Sequence, residues 1–116
     1  MKCNICGSEN ISFHKDPHGN FYRCENCKST CSCYKNSTKP RGIFADPCMR
    51  QLRDECHKLL DYFDNGKPRW KTSKHRRSLY RRLSNAMQMD DEYCHFSFMT
   101  KVQLEQAKMI LENWLQ

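Results

Sequence analysis

Four cysteines near the start of the chain constrain its fold more than any other feature. Cys3 and Cys6 form one C-x2-C pair, and Cys24 and Cys27 form a second pair after a linker of 17 residues. Two residues between cysteines let one tight turn present both sulfurs to the same ion, and zinc prefers four such ligands in a tetrahedron. A linker of about 15–20 residues allows a hairpin to bring the two turns together. The spacing therefore predicts one zinc ion bound by these four thiolates.

The linker between the two pairs has the pattern of a β-hairpin. Residues 11–14 and 21–24 have strand character, and the sequence DPHGN between them is typical of a turn. Residues 1–35 are therefore predicted to form a zinc ribbon. Because four thiolates close the coordination sphere and leave no site for water, the zinc is predicted to be structural.

Other cysteines and two histidines lie outside this pattern. Cys31 and Cys33 would share one face of a strand; they could compete for the metal or bind a second ion, although we favour small buried residues on a third strand. Three further cysteines lack ligand spacing and are predicted to pack in the core: Cys48, Cys56 and Cys94. Two linker histidines are predicted to be exposed, since four cysteines complete the ligand set: His14 and His18.

The cysteine count and the start of the sequence favour a metal over disulfides. The chain of 116 residues has nine cysteines. Because nine is odd, full pairing into disulfides would leave one free thiol. It opens directly into Cys3 without an apolar leader, and it has no run of about 18 apolar residues. We therefore expect a protein of the reducing cytoplasm, without a membrane segment.

The formal net charge of +7 is concentrated in one segment. Residues 67–82 contain eight Lys or Arg and no acid, whereas the remaining residues sum to −1. Trp70 and Tyr80 are interleaved with the cations, a pattern that suits nucleic acid; the alternative is a solvated helix face with both rings in the core. The basic residues that could contact a partner are Lys67, Arg69, Lys71, Lys74, Arg76, Arg77, Arg81 and Arg82.

One helix is predicted before this segment, and a second begins within it. Asp46 and Pro47 read as a helix cap and a first helical residue, and Gly66 reads as the residue that ends this helix. Its apolar stripe comprises Met49, Leu52, Cys56, Leu59, Leu60 and Phe63. A second helix is predicted from about Ser73 to Met87. Its inward face would comprise Leu79, Tyr80, Leu83, Ala86 and Met87.

A third helix and a short strand are predicted near the end of the chain. Residues 92–98 alternate in polarity as a strand does. Thr100 and Gln103 form a capping box, which would begin a helix with the stripe Leu104, Ala107, Leu111 and Trp114. The predicted class is α+β: the zinc ribbon is followed by a compact three-helix region, residues 36–116, that packs as one small domain.

Several motifs resemble a family of small zinc-finger-containing proteins encoded by phages and prophages. The quoted segments are STKPRGIFAD at 37–46, LRDECHKLLDYF at 52–63, SLYRRL at 78–83 and CHFSF at 94–98. The matching positions are Thr38, Pro40, Gly42, Ala45, Asp46, Leu52, Arg53, His57, Trp70, Tyr80, Leu83 and His95. The chain departs from the family at Cys56, where alanine is usual, and at the sequence CSC after the second cysteine pair.

The resemblance implies a function through binding. The chain looks like the class of small phage proteins that includes type II-A anti-CRISPR inhibitors. It would act in the cytoplasm of the infected or lysogenic bacterial host by docking on an RNA-guided nuclease and obstructing target-DNA loading or activation. Its basic charge argues against imitation of DNA. Because the nuclease channel is positive, three acidic residues become candidate contacts: Asp90, Asp91 and Glu92.

The alternative is a nucleic-acid-binding accessory protein of phage replication, recombination or transcription, which would use residues 67–82. An enzyme is not expected in either case. The sequence contains no Ser-His-Asp spacing, no paired catalytic carboxylates and no glycine-rich phosphate loop.

Overall fold

The computed structural model describes residues 1–64 and 74–115, which pack as two compact units, Met1–Arg50 and Gln51–Gln116. Among these residues, none of the helices has the length and apolar content that a membrane span requires. The strands and α-helices, in chain order, are β1 Ile11–His14, β2 Phe21–Cys24, β3 Thr30–Ser32, α1 Pro47–Phe63, α2 Lys74–Met87 and α3 Lys101–Asn113.

The first unit is built on a three-stranded antiparallel sheet in the order β1-β2-β3. Phe13 pairs with Tyr22, and Tyr22 pairs in turn with Cys31 on the third strand. The turn between β1 and β2 is closed by the Gly19 N–H, which donates to the Asp16 carbonyl at 2.9 Å. The α+β class, the predicted ribbon hairpin and the third strand beside it are therefore confirmed.

A segment after the sheet completes the core of this unit. Ala45 and Thr30 exchange backbone hydrogen bonds of 2.8 and 3.2 Å, so the segment runs antiparallel to β3. The Asn4 carboxamide donates to the Phe44 carbonyl at 3.0 Å and accepts from the Phe44 N–H at 2.7 Å. Phe44 is thereby held against the buried thiols Cys3 and Cys24. Packing places residues 36–50 with the ribbon, whereas the sequence placed a boundary at residue 35.

Helix α1 begins as predicted. The Asp46 carboxylate accepts a hydrogen bond of 2.8 Å from the Met49 N–H, and Pro47 occupies the first helical position. In the predicted stripe, Met49, Cys56 and Leu60 are buried and the other three members are partly buried. Cys48 is exposed, so its predicted core position is wrong. The predicted end of the helix at Gly66 lies outside the described residues.

Helix α2 buries much of the predicted face, with one exchange. Leu79, Leu83 and Met87 are buried, but Ala86 is exposed and Ser84 is buried in its place. The Ser84 hydroxyl donates to the Arg81 carbonyl at 2.8 Å and also contacts an Asp91 carboxylate oxygen. A satisfied hydroxyl loses little on burial, which explains why the smaller polar residue can face inward. The predicted start at Ser73 lies outside the described residues.

The strand predicted for residues 92–98 is wrong. The structure has two short 3-10 turns there, Asp91–Tyr93 and Phe96–Phe98, with local bonds such as Phe98 N–H to the His95 carbonyl at 2.9 Å. Cys94 and Phe96 are buried around an exposed His95, so the alternation in polarity is real. The backbone satisfies its hydrogen bonds locally because no strand of the described helical unit is available for pairing.

Helix α3 follows the prediction closely. The Thr100 hydroxyl accepts from the Gln103 N–H, and the Gln103 carboxamide accepts from the Thr100 N–H at 2.9 Å, which makes a reciprocal capping box. Three members of the stripe are buried, and the fourth, Trp114, is partly exposed. The buried residues are Leu104, Ala107 and Leu111.

Candidate metal centre

The first cysteine pair lies on a tight turn held by two backbone hydrogen bonds. The Gly7 N–H donates to the Cys3 carbonyl at 2.8 Å, and the Cys3 N–H donates to the Ser8 carbonyl at 2.9 Å. Gly7 has a φ of 80°, which glycine adopts without steric cost. The turn directs the side chains of Cys3 and Cys6 to the same side.

The second cysteine pair repeats this turn. The Lys28 N–H donates to the Cys24 carbonyl at 2.8 Å, and the Cys24 N–H donates to the Ser29 carbonyl at 2.9 Å. Lys28, with a φ of 67°, takes the place that Gly7 holds in the first turn. Because β1 pairs with β2, the two turns lie at the same end of the sheet and face each other.

The four sulfur atoms form one compact cluster. The Sγ atoms of Cys3 and Cys27 are 3.6 Å apart, those of Cys6 and Cys24 are 3.5 Å apart, and all four lie within 4.8 Å of one another. A tetrahedron with zinc–sulfur bonds of about 2.3 Å has sulfur–sulfur distances of about 3.8 Å. The cluster therefore fits a single zinc ion, and four thiolates leave no position for water or substrate.

Donors around the cluster favour the thiolate form of the outer cysteines. The Asn26 side-chain amide, 3.4 Å from Cys6 Sγ, lowers the pKa of Cys6 to about 6. The Ser29 hydroxyl lies 3.2 Å from Cys27 Sγ and lowers the pKa of Cys27. Burial raises the pKa of Cys3 to about 11, so this thiolate depends on the cation for its stability.

The remaining predicted metal-site residues lie elsewhere. Within the described parts of the chain, the four ribbon cysteines are the one cluster of Cys, His, Asp or Glu side chains that could hold a metal ion. Cys31 is buried on β3, with its Sγ 3.5 Å from the Gly42 carbonyl, and Cys33 is buried just beyond this strand. The favoured interpretation as a small buried residue of a third strand is thus confirmed for Cys31, whereas Cys33 is buried as predicted but lies outside the strand. His18 is exposed, while His14 is partly buried and stacks on Phe21.

The left-handed conformation of Lys28 leads to a prediction. We expect Lys28→Gly to stabilise the zinc-bound first unit by up to about 1 kcal/mol, because glycine relieves the strain of a positive φ. This should appear as an affinity for zinc up to about fivefold higher in competition with a chelator. Lys28→Ala is the control: it loses the same 3.1 Å contact with Glu25 but keeps the strained φ, so it should bind no more tightly than the parent. Equal affinities for the two variants would contradict the prediction.

All but one of the predicted partner-binding residues fall into three groups. Lys74, Arg77, Arg81 and Arg82 are exposed on α2, although the Arg82 guanidinium lies 4.1 Å from the centroid of the Trp114 ring. The acidic residues Asp90, Asp91 and Glu92 are exposed as well. Three of the basic residues lie outside the described part of the chain, as does Trp70: Lys67, Arg69 and Lys71.

Arg76 does not lie on the surface where the sequence placed it. Its guanidinium is buried, with Nε 2.9 Å from an Asp64 carboxylate oxygen and a terminal nitrogen 2.8 Å from an Asp61 oxygen. Asp64 is buried too, and His75 Nδ1 lies 3.4 Å from its second oxygen. Arg76 is therefore a structural residue that joins the end of α1 to the start of α2. Sequence reasoning missed it because a buried arginine with distant partners leaves no local signal.

Two tight turns that hold four thiolates at one end of a small sheet define a zinc-finger domain with a structural metal. The model of the DUF3268 zinc-finger-containing domain matches residues 1–113, and the chain belongs to this family. Comparisons with curated proteins and with solved structures found no match. The family and the geometry together support one structural zinc ion per chain.

Proposed function

We propose that this zinc-finger protein is a non-enzymatic binding protein that contacts single-stranded nucleic acid through the exposed face of α2. The observation that carries the proposal is a cationic stripe, defined as Lys74, Arg77, Ser78 and Arg81. These residues recur at the spacing of one helix face, are all exposed, and together line a shallow hollow of about 250 Å³. Such a stripe can neutralise consecutive phosphates of a backbone.

An aromatic pocket continues the stripe at one end. Arg77 and Arg81 also line a second hollow of about 240 Å³, together with Tyr80, His95 and Asp91. The centroids of the Tyr80 and His95 rings are 5.6 Å apart, and His95 is exposed. Cations beside an accessible aromatic ring suit a single strand, because its unpaired bases can stack while the phosphates meet the cations.

The charges on this face favour an anionic ligand. No ion pair of Arg77 occurs among the residues that the structure describes, and Arg81 lies 3.8 Å from Asp91 on an exposed part of the surface. Exposed ion pairs of this kind contribute little to stability, so a phosphate can readily replace the carboxylate beside Arg81. Asp91 also contacts the Ser84 hydroxyl, so part of its acceptor capacity is already used.

The test is the salt dependence of binding to a labelled single strand. Three phosphate contacts predict a log–log slope of about −2 for the parent, and Arg77→Ala with Arg81→Ala should reduce that slope by about 1.4. The control is Lys58→Ala with Lys101→Ala, which removes two exposed charges from the same unit but away from the stripe. Equal losses in the two double variants, or no binding by the parent, would overturn the proposal.

A second candidate function follows from the resemblance to phage anti-CRISPR inhibitors. The cationic stripe adjoins an exposed acidic turn, Asp90–Glu92, through the contact between Arg81 and Asp91. A surface that carries both signs of charge suits a protein partner. Under this proposal the chain, encoded by a phage and acting in the cytoplasm of its bacterial host, docks on a type II-A RNA-guided nuclease and obstructs target-DNA loading or activation.

One experiment separates the two candidates. The inhibitor should co-elute with purified guide-loaded nuclease at about 0.15 M salt and suppress target cleavage, because protein contacts that exclude water are screened less than exposed charges. Asp90→Lys with Glu92→Lys should disrupt that complex while leaving binding to single strands intact or stronger. Full cleavage and separate elution, together with salt-sensitive binding of the single strand, would exclude the inhibitor function. Nucleic-acid binding would then be the one remaining candidate.

A further inference from the structure

A cleft of about 630 Å³ in the first unit lies between the β1–β2 turn, the loop after β3 and the start of α1. This volume is within the usual range for sites that hold small molecules. The cleft has a different set of residues from both the zinc cluster and the stripe on α2. Its charged lining residues are Asp16, Lys35, Arg41 and Arg50, with His18 beside them.

Three cations reach this cleft from three separate segments whose backbones are fixed. The Arg41 N–H donates to the Ser32 carbonyl at 2.7 Å, which ties the loop to β3. The Arg50 N–H donates to the Asp46 carbonyl at 3.0 Å in the first turn of α1. The loop with Lys35 is closed by the Ser37 N–H, which donates to the Tyr34 carbonyl at 3.0 Å. The cations are therefore held near one another by the fold rather than by mutual attraction.

The charge of the cleft is not neutralised by the described parts of the protein. None of the ion pairs among residues 1–64 and 74–115 involves Lys35, Arg41 or Arg50. The one carboxylate in the lining, Asp16, accepts a hydrogen bond of 2.8 Å from the His18 N–H. Three like charges around one concave surface repel one another and favour an anion between them.

An aromatic ring supplies the apolar part of the cleft. Phe21 lines it, and its ring stacks with that of His14 at a centroid distance of 4.9 Å. A ring of this kind can stack on a nucleobase while guanidinium groups bind the phosphate through paired hydrogen bonds. A ligand with both a base and a phosphate would use both parts of the cleft.

We propose that this cleft is a second, separate site that binds the phosphate of a nucleotide, either as a free nucleotide or as part of a single strand. Lys35, Arg41 and Arg50 contact the phosphate, and Phe21 contacts the base. The site does not depend on the proposed role of α2. It does depend on zinc, because the β1–β2 turn and the loop after β3 belong to the unit that the metal holds together.

The test measures the affinity of zinc-loaded protein for three probes: fluorescent ATP, inorganic phosphate and a labelled oligothymidylate of about ten nucleotides. The triple variant Lys35→Ala, Arg41→Ala, Arg50→Ala should weaken nucleotide binding by about tenfold for each cation lost. Lys15→Ala, an exposed cation outside the cleft lining, is the control and should change the affinity less than twofold. Unchanged zinc stoichiometry in the triple variant shows that its unit is folded.

The outcomes distinguish the two ligand sources and the two sites. Binding of ATP by the parent, lost in the triple variant and retained in the Arg77→Ala, Arg81→Ala variant, supports a nucleotide site in the cleft. Binding of the oligonucleotide alone, with the same pattern of loss, supports a strand as the source. If no probe binds, or if the triple variant binds as well as Lys15→Ala, the inference is wrong whatever the result for α2.

Discussion

Replacing Cys3 by serine is expected to remove the zinc ion and unfold the first unit. A serine hydroxyl is a poor zinc ligand, and Cys3 is buried beside Cys24 and Phe44. Structural zinc in small fingers contributes about 10–16 kcal/mol of apparent binding free energy, which is more than a small unit can lose and remain folded. The zinc content should fall from one ion per chain to none.

The measurement combines elemental analysis with amide NMR spectra of the first unit, and two variants provide controls. Cys48→Ser changes an exposed cysteine and should leave both the metal and the spectrum unchanged. Cys31→Ser is the stricter control because Cys31 packs in the same core as Cys3, yet it should retain zinc. A Cys3→Ser protein with a full complement of zinc, or a Cys31→Ser protein without it, would show that the ligands are assigned wrongly.

Arg76→Ala is expected to destabilise the second unit by about 3–5 kcal/mol. The side chains of Arg76 and Asp64 are 6% and 0% exposed, so removing the guanidinium takes a close counter-charge away from a carboxylate in the interior. Arg77→Ala on the next, exposed position should change stability by about 0.5 kcal/mol or less. The free energies come from urea unfolding of the zinc-loaded proteins, followed by helical circular dichroism.

A double variant separates the cost of losing the ion pair from a simple loss of packing. Arg76→Met with Asp64→Leu removes both charges and keeps apolar volume, so it should recover most of the stability lost in Arg76→Ala. Zinc content should stay at one ion per chain in all these proteins, because the metal belongs to the first unit. Equal stability of Arg76→Ala and Arg77→Ala would mean that the buried pair contributes nothing.

The features that sequence predicted well are those set by local spacing. Two C-x2-C pairs identify the metal ligands because each turn needs only its own residues to present two sulfurs. The capping box at Thr100 and the cap at Asp46 are likewise decided within four residues. The buried stripes on the helices were predicted from the helical period. In α2 one position was exchanged: Ser84, whose hydroxyl has hydrogen-bond partners, is buried, and Ala86 is exposed.

The features that sequence missed depend on residues far apart in the chain. Arg76 sits in a run of cations, so its pattern predicts an exposed face, but partners 12 and 15 residues away draw it inward. The cations of the cleft lie apart from one another in the sequence and outside residues 67–82, where the basic charge is concentrated. Lys35, Arg41 and Arg50 become a group only when the sheet and the start of α1 bring them around one hollow.

The two hydrogen bonds between the Asn4 side chain and the Phe44 backbone give the metal a role in the order of folding. These residues are 40 positions apart, so an unfolded chain must close a long loop to form the contact. Once the ion has joined Cys3 to Cys27, the loop still to be closed runs from Cys27 to Phe44, about 17 residues. The entropic cost of closure rises with the logarithm of loop length, so prior metal binding lowers it by about 0.8 kcal/mol. Zinc therefore favours the docking of a segment that none of its ligands belongs to.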